Sequence, residues 1–149
     1  NQDLNSWDVS KVTDLSRMFL DANSYDQPLD NWDTESVIST KLMFYRASNF
    51  NQNLSNWDMQ NVIDASRMFE TASTFNQPLA TWDVSNVTDM NYMFAMSGFN
   101  QNLANWDVSR VEDCGNGFPS LSQLLAQLIL CLAKIIALCV LMVMAVCKC

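Results

Sequence analysis

The sequence predicts an α/β protein: a right-handed solenoid with a short parallel sheet on one face and short helices on the other, followed by an apolar C-terminal helix. Three observations lead there. Tryptophans recur at Trp7, Trp32, Trp57, Trp82 and Trp106, at spacings of 25, 25, 25 and 24 residues, and self-similarity at such a period marks a repeat architecture. Two hydrophobic periods coexist inside each unit. Composition then breaks sharply after Pro119, where a long apolar run begins.

The units are 1–25, 26–50, 51–75, 76–99 and 100–118, and their other columns keep step with the tryptophan. Gln2, Gln27, Gln52, Gln77 and Gln101 stand upstream of it, with Leu4, Leu29, Leu54, Leu79 and Leu103 two residues on. Val12, Val37, Val62, Val87 and Val111 follow it, then Met-Phe pairs starting at 18, 43, 68 and 93, then Tyr25, Phe50, Phe75 or Phe99. The one-residue deletion falls between Phe94 and Phe99 and shortens a turn.

Each element has a local reason. "WDV" alternates apolar, polar, apolar, as a short half-buried strand would. Val12, Leu15, Met18, Phe19 and Ala22 lie at i, i+3, i+6, i+7 and i+10, one face of a helix of about three turns. Ser10 is its natural N-cap, Asp14 adds a carboxylate to the first turn, and Ser109 with Glu112 writes a capping box. A unit of this size cannot bury its own apolar face, so units stack at about 4.8 Å with Trp, Leu, Val, Met and Phe as interior columns. The recurrent "NQ" reads as an amide ladder satisfying turn backbone between coils.

The phrase F-N-Q-x-L-x-x-W-D-V-S-x-V-x-x-M-x-x-M-F resembles the 25-residue repeat of BspA-like leucine-rich-repeat surface proteins, over residues 1 to about 118. That resemblance implies a leucine-rich-repeat-like solenoid on a cell surface, used for adhesion or protein binding, with no catalytic residues to transfer. The second copy departs from it with "DTESVISTKLMF", and the fifth decays into "CGNGFPS".

With Trp7 and Val9 facing the core, the pleat sends Asp8 outward. The candidate binding face is therefore the column Asp8, Asp33, Asp58, Asp83 and Asp107, flanked by Asn31, Asn56 and Asn105 and by Glu35 and Gln60. Like charges about 5 Å apart repel by roughly 0.8 kcal/mol per neighbour in water, so the column needs a reason. One is structural, each Asp accepting hydrogen bonds at a turn. The other is functional: a basic partner, or calcium at Asp33, Asp58 and Asp83, since carboxylate oxygens are hard ligands.

Charge and composition narrow the function. Lys and Arg number 8 against 16 Asp and Glu, and all 16 acids but only 6 of the cations precede Pro119, a net charge of 6 − 16 = −10. Nucleic acid is thereby an unfavourable partner. No histidine and only three glycines exist, which removes a Ser-His-Asp triad, His-containing zinc sites and a glycine-rich phosphate loop. No cofactor is expected. All five cysteines lie at or after Cys114, so no disulfide staples the repeats. The chain opens at Asn1 without a methionine or signal peptide, which reads as a fragment or processed product.

Residues 119–149 read as an apolar helix. From Leu124 to Val146, 13 of 23 residues are Leu, Ile or Val, interrupted by Gln127 and Lys134. A helix of that length spans about 35 Å. Its aliphatics supply about −6 kcal/mol on an insertion scale, against about +3 for Lys134. A membrane anchor with the repeats outside the cytoplasm is the leading reading, beside a cap on the last coil or a recombined tail. The expected protein is thus a non-enzymatic, membrane-tethered cell-surface repeat protein that binds a protein or glycoprotein through a polar acidic face. A structural surface-layer protein and a calcium-binding module are the alternatives.

Overall fold

The computed structural model describes residues 1–113. The α/β reading is overturned there: among these residues no helix forms, and coil-to-coil strand pairing is confined to single parallel bridges linking Asp14, Ser39, Asp64, Asp89 and Asp113. With neither the sheet nor the helices of a leucine-rich repeat present, that description of the chain, as a leucine-rich-repeat solenoid, is set aside. What the repeat builds instead is a stack of coils made of consecutive β-turns.

The residues expected to be helical show how. An α-helix spends every N–H on the carbonyl four residues back. In the first coil the bonds are three residues back and alternate: Met18 N–H to Leu15 O at 3.3 Å, Leu20 to Arg17 at 3.1 Å and Ala22 to Phe19 at 3.0 Å. The N–H groups in between leave the coil. Leu15, Arg17, Phe19 and Asp21 donate to the carbonyls of Ser39, Lys41, Met43 and Tyr45 in the next coil, at 2.8–3.0 Å. The same set recurs from coil two to three and from three to four. Half the donors close turns and half tie neighbouring coils, so the backbone is satisfied without helix or sheet.

Backbone dihedrals fit this turn ribbon. Arg17 and Asp21, Leu42 and Arg46, Arg67 and Thr71, and Tyr92 and Met96 all have φ between 55° and 63°. The first of each pair is the third residue of the turn opened by Leu15, Thr40, Ala65 or Met90, where a positive φ defines a type II turn. Two residues inward and two outward repeat along the ribbon, so Leu15, Phe19 and Ala22 face the same side as they would on a helix.

The expected strand is likewise absent. Trp7 closes a turn to Leu4 O at 3.0 Å and Val12 closes one to Val9 O at 2.8 Å, leaving "WDV" as the short extended link between two turns. Coils are joined on this side largely by side chains. The indole Nε1–H groups of Trp32, Trp57, Trp82 and Trp106 donate to the carbonyls of Leu4, Leu29, Leu54 and Leu79 in the preceding coil, at 2.8–2.9 Å. The amide ladder is present: the Oδ1 atoms of Asn1, Asp26, Asn51 and Asn76 accept the N–H of Asp26, Asn51, Asn76 and Asn100, at 2.8–3.0 Å. The Gln52, Gln77 and Gln101 side chains donate to Oδ1 of Asp26, Asn51 and Asn76 in turn, at 2.8–3.1 Å.

Stacked rings fill the interior. Phe19, Phe44, Phe69 and Phe94 form one column with centroids 5.3–5.6 Å apart and planes within 6°. Tyr25, Phe50, Phe75 and Phe99 form a second at 6.0–6.1 Å. Trp32 stacks on Trp57 and Trp82 on Trp106. These four indoles are buried, whereas Trp7 is half exposed. Removing a central ring such as Phe69 or Trp82 would cost about 3–5 kcal/mol.

Candidate binding face

The five aspartates stand where the sequence placed them, exposed and in register on successive coils, with Asn31, Asn56, Asn105, Glu35 and Gln60 exposed around them. Each closes its own turn. The Oδ1 atoms of Asp8, Asp33, Asp58, Asp83 and Asp107 accept the backbone N–H of Ser10, Glu35, Gln60, Ser85 and Ser109, at 2.8–3.1 Å. Ser10 adds its hydroxyl to Asp8 Oδ1 at 2.6 Å. Ser10 is thus a donor to the preceding Asp and caps no helix.

Electrostatics show which force wins along the column. The Asp83 carboxyl is held below its ordinary range by the Ser85 hydroxyl and N–H, while the neighbouring Asp107 charge pushes the other way and is the weakest influence. Asp8 is lowered by the Ser10 hydroxyl and N–H, and Asp107 by the Ser109 N–H and hydroxyl with help from Arg110. The hydrogen bonds overcome the like-charge repulsion, because they act at contact distance while the repulsion is screened by water.

The bonds engage Oδ1 of each aspartate. Each coil thus ties one carboxylate oxygen to its turn while the side chain as a whole stays exposed. Calcium gains nothing from this. Among the described residues no group of three or more acidic, cysteine or histidine side chains converges to hold a metal ion, and Asp33, Asp58 and Asp83 are spread along the stack.

Sequence reasoning missed a second line of the same device. Asp14 and Asp64 accept the N–H of Ser16 and Ser66 through Oδ1 at 2.8 and 2.9 Å, and Asp89 that of Asn91 at 2.9 Å, on the line of the coil-to-coil bridges. The sequence marks Asp14 as a carboxylate in the first turn of a helix, and it caps a β-turn instead. Also missed was a column of short polar side chains that reach back one coil. Ser36 donates to Ser10 O, Asn61 to Glu35 O and Asn86 to Gln60 O, at 2.7–2.8 Å. These bonds lock the turns beside the aspartates from coil to coil.

The expected anchor and cell-surface location are corrected as well. No helix among the described residues is long and apolar enough to cross a membrane, and residues 124–146, on which the anchor rested, lie outside them.

The fold and this face together define a class: tandem-repeat proteins whose coils are built from turns and present one repeated polar column. The chain belongs to the family described as "Mycoplasma protein of unknown function, DUF285", whose model matches residues 1–73 and again 26–129. The two matches are offset by one repeat. No curated protein and no solved structure matches the chain.

Proposed function

We propose that the protein is a non-enzymatic recognition module that binds a basic protein surface through its aspartate column. The observation that carries this reading is that each aspartate of the column is exposed while its Oδ1 is fixed by its own turn, repeated on five successive coils. A row of fixed charges spends little conformational entropy on binding and attracts cations at long range. The likeness of the repeat phrase to BspA-like proteins points toward protein binding at the level of the phrase alone.

A second reading is purely structural, and the inward bonds favour it: the aspartates serve the turns, and nothing binds the column. One substitution series separates the two. Asparagine keeps the Oδ1 acceptor and removes the charge, so replacing Asp8, Asp33, Asp58, Asp83 and Asp107 with Asn should leave the chain folded and lower the melting temperature only by the charge-assisted part of each turn bond. Titration of an oligolysine peptide followed by calorimetry should show binding to the parent chain that weakens with salt and vanishes in the variant. Equal binding by both proteins would leave only the structural role.

A further inference from the structure

Past the turn from residue 9 to 12, the next outward column is Thr13, Ile38, Ile63, Thr88 and Glu112, exposed but for the half-buried Thr88. The N–H of each later member donates to the carbonyl of the one before, at 2.7–2.9 Å. Six large hydrophobic side chains are exposed among the described residues. Trp7, Met18 and Leu20 are on the first coil and Met96 is in the shortened turn region. Only Ile38 and Ile63, 46% and 48% exposed, sit in the middle of the stack, and they share this one column.

Cations flank the pair. Lys11 and Arg110 occupy the two ends of the adjacent column, which runs through Ser36, Asn61 and Asn86. Among the described residues Lys41, Arg46 and Arg67 make ion pairs, while Lys11, Arg17 and Arg110 do not. Arg110 is oriented instead by Asn86, whose Oδ1 accepts its Nη1–H at 2.6 Å, which leaves the other guanidinium donors available. Between Ile63 and Arg110 lies a shallow pocket of about 250 Å³, completed by Asn61, Asn86 and Thr88. That volume suits one or two amino-acid side chains and is too small for most cofactors.

We infer that this strip docks an extended segment of a partner protein in which an aliphatic side chain is followed by a carboxylate. The aliphatic group covers Ile63 and extends the contact toward Ile38, an apolar centre inside a polar rim as protein interfaces have. The carboxylate meets the Arg110 guanidinium, which suits bidentate recognition. Charge selects the occupant: the aspartate column attracts bases, whereas this neighbouring strip has Lys11 at one end and, at the pocket, Arg110, whose charge is shared only with the nearby Asp107. Glu112, one coil beyond Thr88, disfavours an acidic group placed further along. The inference stands apart from the aspartate column, since it uses other residues and a partner of opposite charge.

The test uses the full chain, isotopically labelled, with acetyl-leucyl-aspartate amide as the probe and acetyl-leucyl-asparagine amide as its control, followed by NMR. Saturable shifts are expected at Ile63, Thr88 and Arg110. Loss of the carboxylate should weaken binding about fivefold, as expected for an exposed charge pair worth about 1 kcal/mol. Ile63→Ser and Arg110→Gln, both at exposed positions, should melt with the parent and bind correspondingly less. Absence of saturable shifts, shifts confined to the aspartate column, or binding unchanged in Arg110→Gln would each overturn the docking strip. None of those results bears on oligolysine binding, so the two readings fail separately.

Discussion

Two buried threonines illustrate how much a single hydroxyl depends on its neighbours. Thr34 and Thr40 are 3% and 1% exposed and lie six residues apart. Thr34 Oγ1 accepts the Asp58 N–H at 2.8 Å and donates to Asp58 O at 3.0 Å, so it is fully used. Thr40 Oγ1 has no partner, in a column otherwise filled by Leu15, Ala65 and Met90. Valine should therefore act in opposite directions. Thr34→Val should cost about 1–2 kcal/mol by orphaning the Asp58 N–H, while Thr40→Val should gain about 1 kcal/mol, both read from urea unfolding midpoints. Tyr25 is a third such group, its buried hydroxyl unpartnered in a column of phenylalanines. Burial, with the Asp3 charge adding to it, pushes the Tyr25 phenol up to about 12 from 10.0. A raised folded value gives stability that is present below pH 10 and lost between there and pH 12. Tyr25→Phe should remove that alkaline loss from a melting-temperature profile.

At the level of the element, the turn ribbon explains what the sequence could not disclose. Inward positions 15, 18, 19 and 22 and outward positions 16, 17, 20 and 21 satisfy a helix and a type II turn ribbon equally well, so periodicity could not separate them. Glycine, the usual sign of a positive φ, is absent at all eight positions that adopt one. Stacking between coils outweighs the local cost, which is about 1–2 kcal/mol for each such residue. Thr71, β-branched with φ 63°, is the worst suited of them. Thr71→Gly should raise stability by about 0.5–1 kcal/mol net of the entropy that glycine adds to the unfolded chain. Gly98 is the converse. It sits in the turn shortened by one residue, and a Cβ there would run into the Ser73 carbonyl oxygen of the coil before. Gly98→Ala should therefore lower the melting temperature, and a lowered midpoint confined to this position would identify the shortened turn as the tightest contact between coils.

For the whole molecule, the repeat length, the interior columns and the outward aspartates were all legible, because identical spacing forces identical environments. Which oxygen of each aspartate faces the turn was not, since that depends on a backbone conformation the pattern left undetermined. Three aspartates of that column, together with Asp14, contribute to the response to acid. Asp8, Asp14, Asp83 and Asp107 are all held below the usual 3.8, chiefly by serine hydroxyl and N–H donors. A lowered folded value gives stability that is present above about pH 4 and lost as pH falls below it. The melting temperature should be flat from pH 7 to 5 and begin to fall beneath 4. Since each coil contacts chiefly its neighbours, removing residues 51–75 in frame should leave a folded protein with a smaller urea m-value.

The direction of the bonds between coils has a bearing on how long such a stack can grow. An α-helix aligns its peptide dipoles, and the sum appears as partial charge at its ends. Here the ribbon N–H groups from Leu15 to Asp21 point toward the next coil, while the Ile38 N–H and the Trp32 indole point back toward the previous one. The two sets oppose one another, so less polarisation builds up along the stack than along a helix of the same length. Each added coil also brings one more aspartate to the column, so the like-charge repulsion along it grows with length while the burial gained per coil stays the same.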